Sequence, residues 1–182
     1  MSVDGADCVL NTVICAMREA FTADSSFPPV GGGTDKVRVF AGDAAPLGAV
    51  DMHIDECGCG NDPFIWVRLM RRYRTMNFPQ PYVGDNNCGG QRVVAVEVGV
   101  ARCAAVFSPD GCDWTAYENE AETSLDDSWR VELALCRASA KLKTPDKAGT
   151  ICSDLVAMDS VIPYGPEGGV YAWIGTLYAT TA

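Results

Sequence analysis

Four residues near the middle of the chain are of the types that bind zinc. His53, Cys57 and Cys59 follow one another as His-x3-Cys-x-Cys, and Cys88 is a more distant fourth ligand. Zinc takes four such ligands in a tetrahedron, and the glycines that alternate with the first two cysteines give the backbone freedom to turn. The Cys-x-Cys spacing differs from the common Cys-x2-Cys knuckle. Three interpretations stay open: a zinc site, a disulfide between this loop and Cys88, and unrelated loop cysteines.

Nucleophilic catalysis has less support in the sequence. The one histidine, His53, is predicted to lie in a strand, and a hydrolase triad would need a nucleophile and a carboxylate that both converge on it. No spacing in the chain brings a serine or cysteine there. A cysteine-dependent enzyme would use Cys88 or Cys112 and would need a thiol of low pKa. The glycine clusters fit neither phosphate-binding pattern and are predicted to be turns. We therefore expect a protein that is not an enzyme.

A cluster of arginines is the second candidate site. Arg68, Arg71, Arg72 and Arg74 lie close together in an otherwise acidic chain. Arginine is enriched at protein interfaces and binds carboxylates with its planar fork, so the cluster is a candidate subunit contact. A charged strand edge that blocks unwanted pairing is the alternative. The predicted partner, on the same or a neighbouring subunit, is a set of five carboxylates: Asp110, Asp113, Glu118, Glu120 and Glu122.

The overall charge limits the classes of partner. The chain has 24 acidic and 14 basic residues, which give a net charge of -10. Such a chain lacks the basic surface that a general nucleic-acid binder or a protein docked on anionic lipid requires. Its N-terminus is polar, and no apolar run reaches the length of a membrane span. We expect residues 1–182 to form one domain that folds in a cytoplasm, with Cys15, Cys103 and Cys136 as buried free thiols.

The hydrophobic pattern predicts an α+β fold. A mostly antiparallel sheet is expected, with an N-terminal helix and a second long helix packed on one face. The predicted helices are 7–21, capped by Asp4 or Asp7, and 124–143, capped by Ser124. The predicted strands are 36–41, 50–54, 64–73, 92–107 and 170–180, with 150–162 undecided, a turn at 163–169, and loops at 22–35 and 108–123.

The second helix has a predicted apolar stripe. The stripe comprises Leu125, Trp129, Leu133, Cys136 and Ala140, and it is widened by Val131, Leu135 and Leu142. We expect it to face the sheet, because an amphipathic helix buries its apolar side.

The end of the chain resembles a known family. Residues 161–169 read Val-Ile-Pro-Tyr-Gly-Pro-Glu-Gly-Gly, and the predicted strand 171–178 reads Tyr-Ala-Trp-Ile-Gly-Thr-Leu-Tyr. This turn and strand, together with the segment 92–103, the helix 125–142 and the order of the elements, resemble the small head–tail joining proteins of long-tailed bacteriophages. The resemblance is greatest to their tail terminators.

The resemblance implies a structural role in the virion, at the neck of the phage, after assembly in the host cytoplasm. Tail terminators form a ring, implied here to be a hexamer, on the head-proximal end of the tail tube. The ring ends tube polymerisation and joins the tail to the head–tail connector or stopper protein, while DNA passes through without sequence-specific binding. A head-completion adaptor or stopper is the alternative in the same class. A small zinc- or disulfide-stabilised binding module is the alternative in another.

Overall fold

The computed structural model describes residues 4–42, 48–50, 52–53, 62–85, 87–105, 113–145 and 149–181. Within these ranges the fold has two long α-helices and six strands. The helices are α1 (Gly5–Phe21) and α2 (Trp114–Leu142), and a short 3-10 helix spans Asn87–Gly89. The strands are β1 (Val37–Ala41), β2 (Phe64–Thr75), β3 (Gln91–Cys103), β4 (Val156–Met158), β5 (Ile162–Glu167) and β6 (Val170–Thr181).

The strands form one mostly antiparallel sheet, which confirms the predicted fold class. Its order is β1-β2-β3-β6-β4, and β5 pairs with the part of β6 that β4 leaves open. Only the edge strand β1 runs parallel to its neighbour, β2. The central strand β3 is one continuous strand of 13 residues. Its valines at 94, 96, 98 and 100 alternate along the chain, so all four lie on one face and are buried there.

Both helices pack on the face that these valines line. In α1, Val9, Val13, Met17 and Phe21 are buried at helical spacing, and the Asp4 side chain caps the helix by accepting from the Ala6 amide. In α2, the buried apolar residues are Val131, Ala134, Leu135, Ala138 and Leu142. A second, smaller cluster of buried apolar residues is separate from this core and includes Val50, Phe64 and Trp66. Among the described residues, no helix is long and apolar enough to cross a membrane.

The second helix starts earlier than predicted. Its first residue is Trp114, and the Asp113 side chain caps it by accepting from the Ala116 amide. Residues 114–123 are therefore helical, and the prediction of a loop up to residue 123 is wrong. The segment contains Ala, Glu and Tyr without Gly or Pro, so nothing in it opposes a helix once Asp113 supplies the cap.

The predicted apolar stripe of α2 is wrong in part, because Val131, Leu135 and Leu142, which were expected to widen it, are buried, whereas its main line is not. Leu125 is 70% exposed and Trp129 is 51% exposed, while Val131 and Leu135 are fully in the core. The core side of the helix includes Asp127, which is buried. A buried charge cannot be recognised from an amphipathic pattern, and this is why the stripe with the largest apolar residues was mistaken for the core side.

Two further segments differ from prediction. Residues 48–50 and 52–53 are helical, so His53 lies on a helix and not in a strand. Residues 162–167 form β5 instead of a turn, and the tight connection to β6 is confined to Gly168 and Gly169. Both glycines have positive φ angles, 60° and 79°, which other residues adopt only with strain. The long β5–β6 hairpin follows from this turn.

The cysteines are distributed differently from the expectation. Cys15 and Cys136 are exposed free thiols, so the prediction that they are buried is wrong. Cys103 is bonded in a disulfide and is not free. Cys88 is free and exposed, which excludes one of the three open interpretations, the disulfide between it and the 57–59 loop. A disulfide that was not predicted joins Cys8 in α1 to Cys152, with 5.8 Å between their Cα atoms.

Candidate subunit-contact surfaces

Three of the four predicted arginines gather at one end of the sheet. Arg71, Arg72 and Arg74 lie near the end of β2, and Arg92 pairs with Arg74 at the start of β3. Because side chains alternate along a strand, Arg72, Arg74 and Arg92 share the face that carries the helices, and Arg71 lies on the other face. We call these four residues the basic end. An open cavity of about 490 Å³ lies there. Its lining includes Asp4, Arg72, Tyr73, Arg74, Arg92 and Thr181.

Local contacts fix the guanidinium groups of the basic end. Arg72 Nη2 lies 2.6 Å from Asp4 Oδ2, and this hydrogen bond lowers the pKa of the Asp4 carboxyl from its ordinary value of 3.8. Arg74 Nη1 donates to the Gly90 carbonyl at 2.7 Å. The Arg71 guanidinium lies 4.9 Å from the centre of the Tyr73 ring, a cation–π contact. Because these groups are held in place, they lose little conformational entropy when they bind an anionic partner.

Arg68 does not belong to this surface. It is only 4% exposed, and it binds Glu97 in the fork geometry, with Nε 2.6 Å from Oε1 and Nη2 2.5 Å from Oε2. Its Nη1 donates to the Gly42 carbonyl at 2.9 Å, and Trp66 Nε1 donates to the same glutamate. The prediction that Arg68 contacts another subunit is therefore wrong. The register of β2 on β3 places Arg68 opposite Glu97, and both are enclosed beside Trp66.

Of the five carboxylates predicted to bind the arginines, only some are exposed and without a hydrogen bond or ion pair to another described residue of their own subunit. Asp110 lies outside the described residues. Asp113 caps α2, and a Glu120 carboxylate oxygen accepts from the Ala105 amide. Both carboxylates therefore bind groups of their own subunit. Glu118 and Glu122 are exposed. They are four positions apart, which places them on one face of the helix, one turn from each other.

The basic end and these carboxylates lie at opposite ends of the sheet. Arg92 is the second residue of β3, and Glu120 binds Ala105, two residues beyond the last residue of β3 at Cys103. Cys103 lies eleven positions after Arg92 in extended strand, a length of about 37 Å at the usual rise of about 3.4 Å per residue. Within one subunit the two charged surfaces are therefore too far apart to meet.

A network of buried ion pairs, which the sequence did not suggest, fixes the predicted loop 22–35. Arg102 binds Asp127 through Nε at 2.6 Å and Nη2 at 3.0 Å, and it also donates to the Gly31 and Gly32 carbonyls. Burial raises the pKa of Asp127, and the hydrogen bonds from Arg102 act in the opposite direction.

A second pair acts on the same loop. Arg130 Nε donates to Asp126 at 2.7 Å, while its other nitrogens donate to the Ala20 and Phe27 carbonyls. Asp126 also accepts from the Val30 amide at 3.0 Å. Charged residues at helical spacing among core positions are the one sequence signal that would have indicated these pairs. They attach residues 27–32 to α2 and so fix the surface beside that helix.

The candidate zinc ligands are not all brought together. His53 Nε2 lies 3.0 Å from the Asp62 carbonyl, and its ring packs 5.5 Å from Phe64 at the start of β2. Cys88 lies beyond the other end of β2, close to Gly90, whose backbone abuts Thr75. Thr75 lies eleven positions after Phe64 in β2, a span of about 35 Å, so His53 and Cys88 cannot share one metal ion. Cys57 and Cys59 lie outside the described residues. Among those described, no group of three or more metal-binding side chains occurs.

The chain matches none of the protein-family models and none of the curated proteins with which it was compared.

Proposed function

We propose that this protein is a structural subunit of the neck of a long-tailed bacteriophage. In this role it forms a ring on the head-proximal end of the tail tube, ends tube polymerisation and joins the tail to the head connector. The observation that carries the proposal is the placement of two oppositely charged surfaces at opposite ends of one sheet. The basic end has Arg71, Arg72, Arg74 and Arg92, and the far end has Glu118 and Glu122.

This arrangement suits a ring. A two-fold dimer whose axis passes through either charged surface would oppose like charges. A head-to-tail contact instead pairs the basic end of one copy with the acidic helix face of the next, and every copy then offers a free end to another neighbour. When the rotation between neighbours closes, the product is a ring. The hexameric copy number is the one that the resemblance to tail terminators implies.

Other features are compatible with the same role. The order of elements, with α1, the strands β1 to β3, the long α2 and the terminal hairpin, is the order that supported the resemblance. The Cys8–Cys152 disulfide suits a protein whose mature particle leaves the cell, because disulfides persist in oxidising surroundings. A net charge of -10 would keep DNA from adhering to the channel of a ring. A lumen lined mostly by basic side chains would contradict this last point.

Native mass spectrometry of the purified protein, with and without a chelator and with and without tail tubes, tests the proposal. We expect a closed oligomer alone or on tubes, and electron microscopy should show it at one tube end. Binding to the head connector without binding to the tube would point to the adaptor or stopper role. A monomer that loses a stoichiometric metal with the chelator, and ignores the tube, would favour the zinc-stabilised module and overturn the proposal.

A further inference from the structure

One exposed stripe of α2 combines acidic and apolar side chains. Glu118, Glu122, Leu125 and Trp129 are spaced by four, three and four residues, so they form a narrow line along the helix. Leu125 and Trp129 are 70% and 51% exposed. An exposed tryptophan beside an exposed leucine on a rigid helix is the type of anchor that dominates binding energy at protein interfaces.

The loop beside α2 widens this surface. Phe27 and Val30 are 79% and 59% exposed. They are held next to the helix, because the Phe27 carbonyl accepts from Arg130 and the Val30 amide donates to Asp126. An open cavity of about 320 Å³ lies between Phe27 and Trp129. We call Glu118, Glu122, Leu125, Trp129, Phe27 and Val30 together the helix patch.

The basic end also carries exposed apolar residues. The loop that follows β2 folds back beside it, since the Tyr82 amide donates to the Arg74 carbonyl at 2.8 Å. In this loop Met76 is 62% exposed and Val83 is 92% exposed. Met76 and Val83 together with Arg71, Arg72, Arg74 and Arg92, which lie at the same end of the sheet and on both of its faces, form what we call the loop patch.

The two patches match in chemistry. The helix patch presents apolar side chains and carboxylates, and the loop patch presents apolar side chains and guanidinium groups. Apolar contact supplies most of the binding free energy, while charge of opposite sign sets the register and excludes like-with-like pairing. A surface of this kind fits a second copy of the same chain, because that copy carries the complement.

We propose that the helix patch of one subunit docks on the loop patch of the next, with Trp129 as its central apolar residue. This contact rests on the proposed ring and specifies which surfaces build it. Trp129 packs against Met76 and Val83 of the neighbour, and Glu118 and Glu122 face its arginines. The helix and loop patches are fixed in place within each subunit, so the contact requires little rearrangement.

Single variants test the apolar part of the contact. Trp129→Ala should weaken self-association, measured by sedimentation velocity over a wide concentration range, by at least about 30-fold. Ile162→Ala is the matched control, because Ile162 is 54% exposed but lies on β5. Circular dichroism of both variants checks folding. Equal association of the Trp129 variant and the wild type, or a wild type that stays monomeric throughout the range, would overturn the proposal.

A mixing experiment tests the head-to-tail pairing. One variant carries Glu118→Lys and Glu122→Lys, and the other carries Met76→Ser and Val83→Ser, which remove the apolar side chains without adding charges that could attract the new lysines. Each should be monomeric alone, since each lacks one of the two patches that a chain of subunits requires. Mixed in equal amounts, they should form a dimer through the two intact patches and nothing larger. The control for the first variant is Asp35→Lys with Asp154→Lys. It changes the charge by the same amount as the two Glu→Lys substitutions, but at exposed sites outside both patches, and it should assemble like the wild type.

Other occupants give different results. If the α2 stripes of two copies paired symmetrically, the loop-patch variant would still dimerise alone. If the helix patch bound the tail tube, Trp129→Ala would lose tube binding while self-association stayed intact. Either result overturns the proposed contact. Rings that form on tubes in spite of Trp129→Ala would refute this contact and leave the neck role standing, whereas a wild type that never binds tube or connector would refute the neck role.

Discussion

Arg68 and Arg71 are three residues apart in the same strand, and their environments are opposite. Arg68 is enclosed with Glu97 and Trp66, whereas Arg71 is exposed beside Tyr73. Removing one member of a buried ion pair leaves the other charge uncompensated, while an exposed cation–π contact contributes little. The first arginine therefore stabilises the fold, and the second is free to contact a partner.

Arg68→Ala should lower the free energy of unfolding by about 3–5 kcal/mol, because it leaves Glu97 buried without its partner. Arg71→Ala should change it by less than about 1 kcal/mol. Urea denaturation of both variants measures the difference. Similar losses in the two variants would mean that the Arg68–Glu97 pair is not the buried contact described above.

The Asp4–Arg72 pair should be visible in a pH titration. Its hydrogen bond lowers the pKa of Asp4 below 3.8, so the stabilisation from this carboxylate is present above that pH and is lost as the pH falls through the lower folded value. NMR of the Asp4 carboxyl carbon should show this, and Arg72→Gln should move the midpoint up toward 3.8. Arg71→Gln is the control and should leave the midpoint where it is.

At the scale of elements, α2 connects the core to the proposed contact. Its buried side packs against β3 and β6 through Val131, Leu135 and Leu142. Its opposite side carries the helix patch, and its first turns extend past the end of β3. The rigidity of that extension depends on the cap at Asp113 and on the contact between Glu120 and Ala105.

Asp113→Ala should destabilise the first turn of α2, at a cost of about 1 kcal/mol, because the Ala116 amide loses its acceptor. Hydrogen exchange should speed up at residues 114–118 and stay slow at 130–142. Ser124→Ala is the control, since Ser124 lies in mid-helix, where its hydroxyl accepts from Trp173 Nε1. Faster exchange at residues 125–128 in the Ser124 variant, with no change at 114–118 in the Asp113 variant, would show that the cap lies at Ser124.

The Cys8–Cys152 disulfide links the first helix to the segment before β4, across 144 positions of sequence. A bond that closes so long a loop removes much of the entropy of the unfolded chain, up to about 5 kcal/mol. The double variant Cys8→Ala and Cys152→Ala should therefore melt at a lower temperature than the wild type in calorimetry. Cys15→Ala removes an exposed free thiol and should melt like the wild type.

At the scale of the whole molecule, the separation of charge along the sheet is the property that favours a ring. The basic end and the carboxylates of α2 cannot form ion pairs with each other within one subunit, since about 37 Å of strand lies between them. In the ring that we propose, contact between copies brings the two charged surfaces together. Apolar residues at both surfaces make that contact less dependent on charge alone.

Self-association should weaken when salt is raised from about 0.05 M to about 0.5 M, because the Debye length shortens and exposed charges are screened. Sedimentation velocity at several salt concentrations measures the dependence. The variant Glu118→Gln with Glu122→Gln should associate more weakly at low salt and depend less on salt. A salt dependence that is unchanged in this variant would exclude these two carboxylates from the contact.

The sequence by itself determined the α+β class, α1 with Asp4 or Asp7 as its cap, and the strands 64–73, 92–107 and 170–180, of which the second ends earlier, at Cys103. These elements have a strong period of two or of 3.6 residues and clear Gly, Pro or Asp boundaries. Those signals are local, and tertiary packing supports them here. The arginine cluster and the acidic helix residues were also apparent from charge alone.

Only the tertiary structure decided which side of α2 faces the core, which arginine is buried and where the charged surfaces lie. From the sequence, Asp127, Arg130 and Arg68 would be expected to be exposed, because they are charged. Asp127 is buried by its contact with Arg102, Arg130 by its contacts with the 27–32 loop, and Arg68 by its pairing with Glu97. Ion pairs between distant residues leave no periodic pattern, and their burial depends on the register of the strands. For the same reason, the sequence could not indicate that Leu125 and Trp129 remain uncovered and available to a second copy.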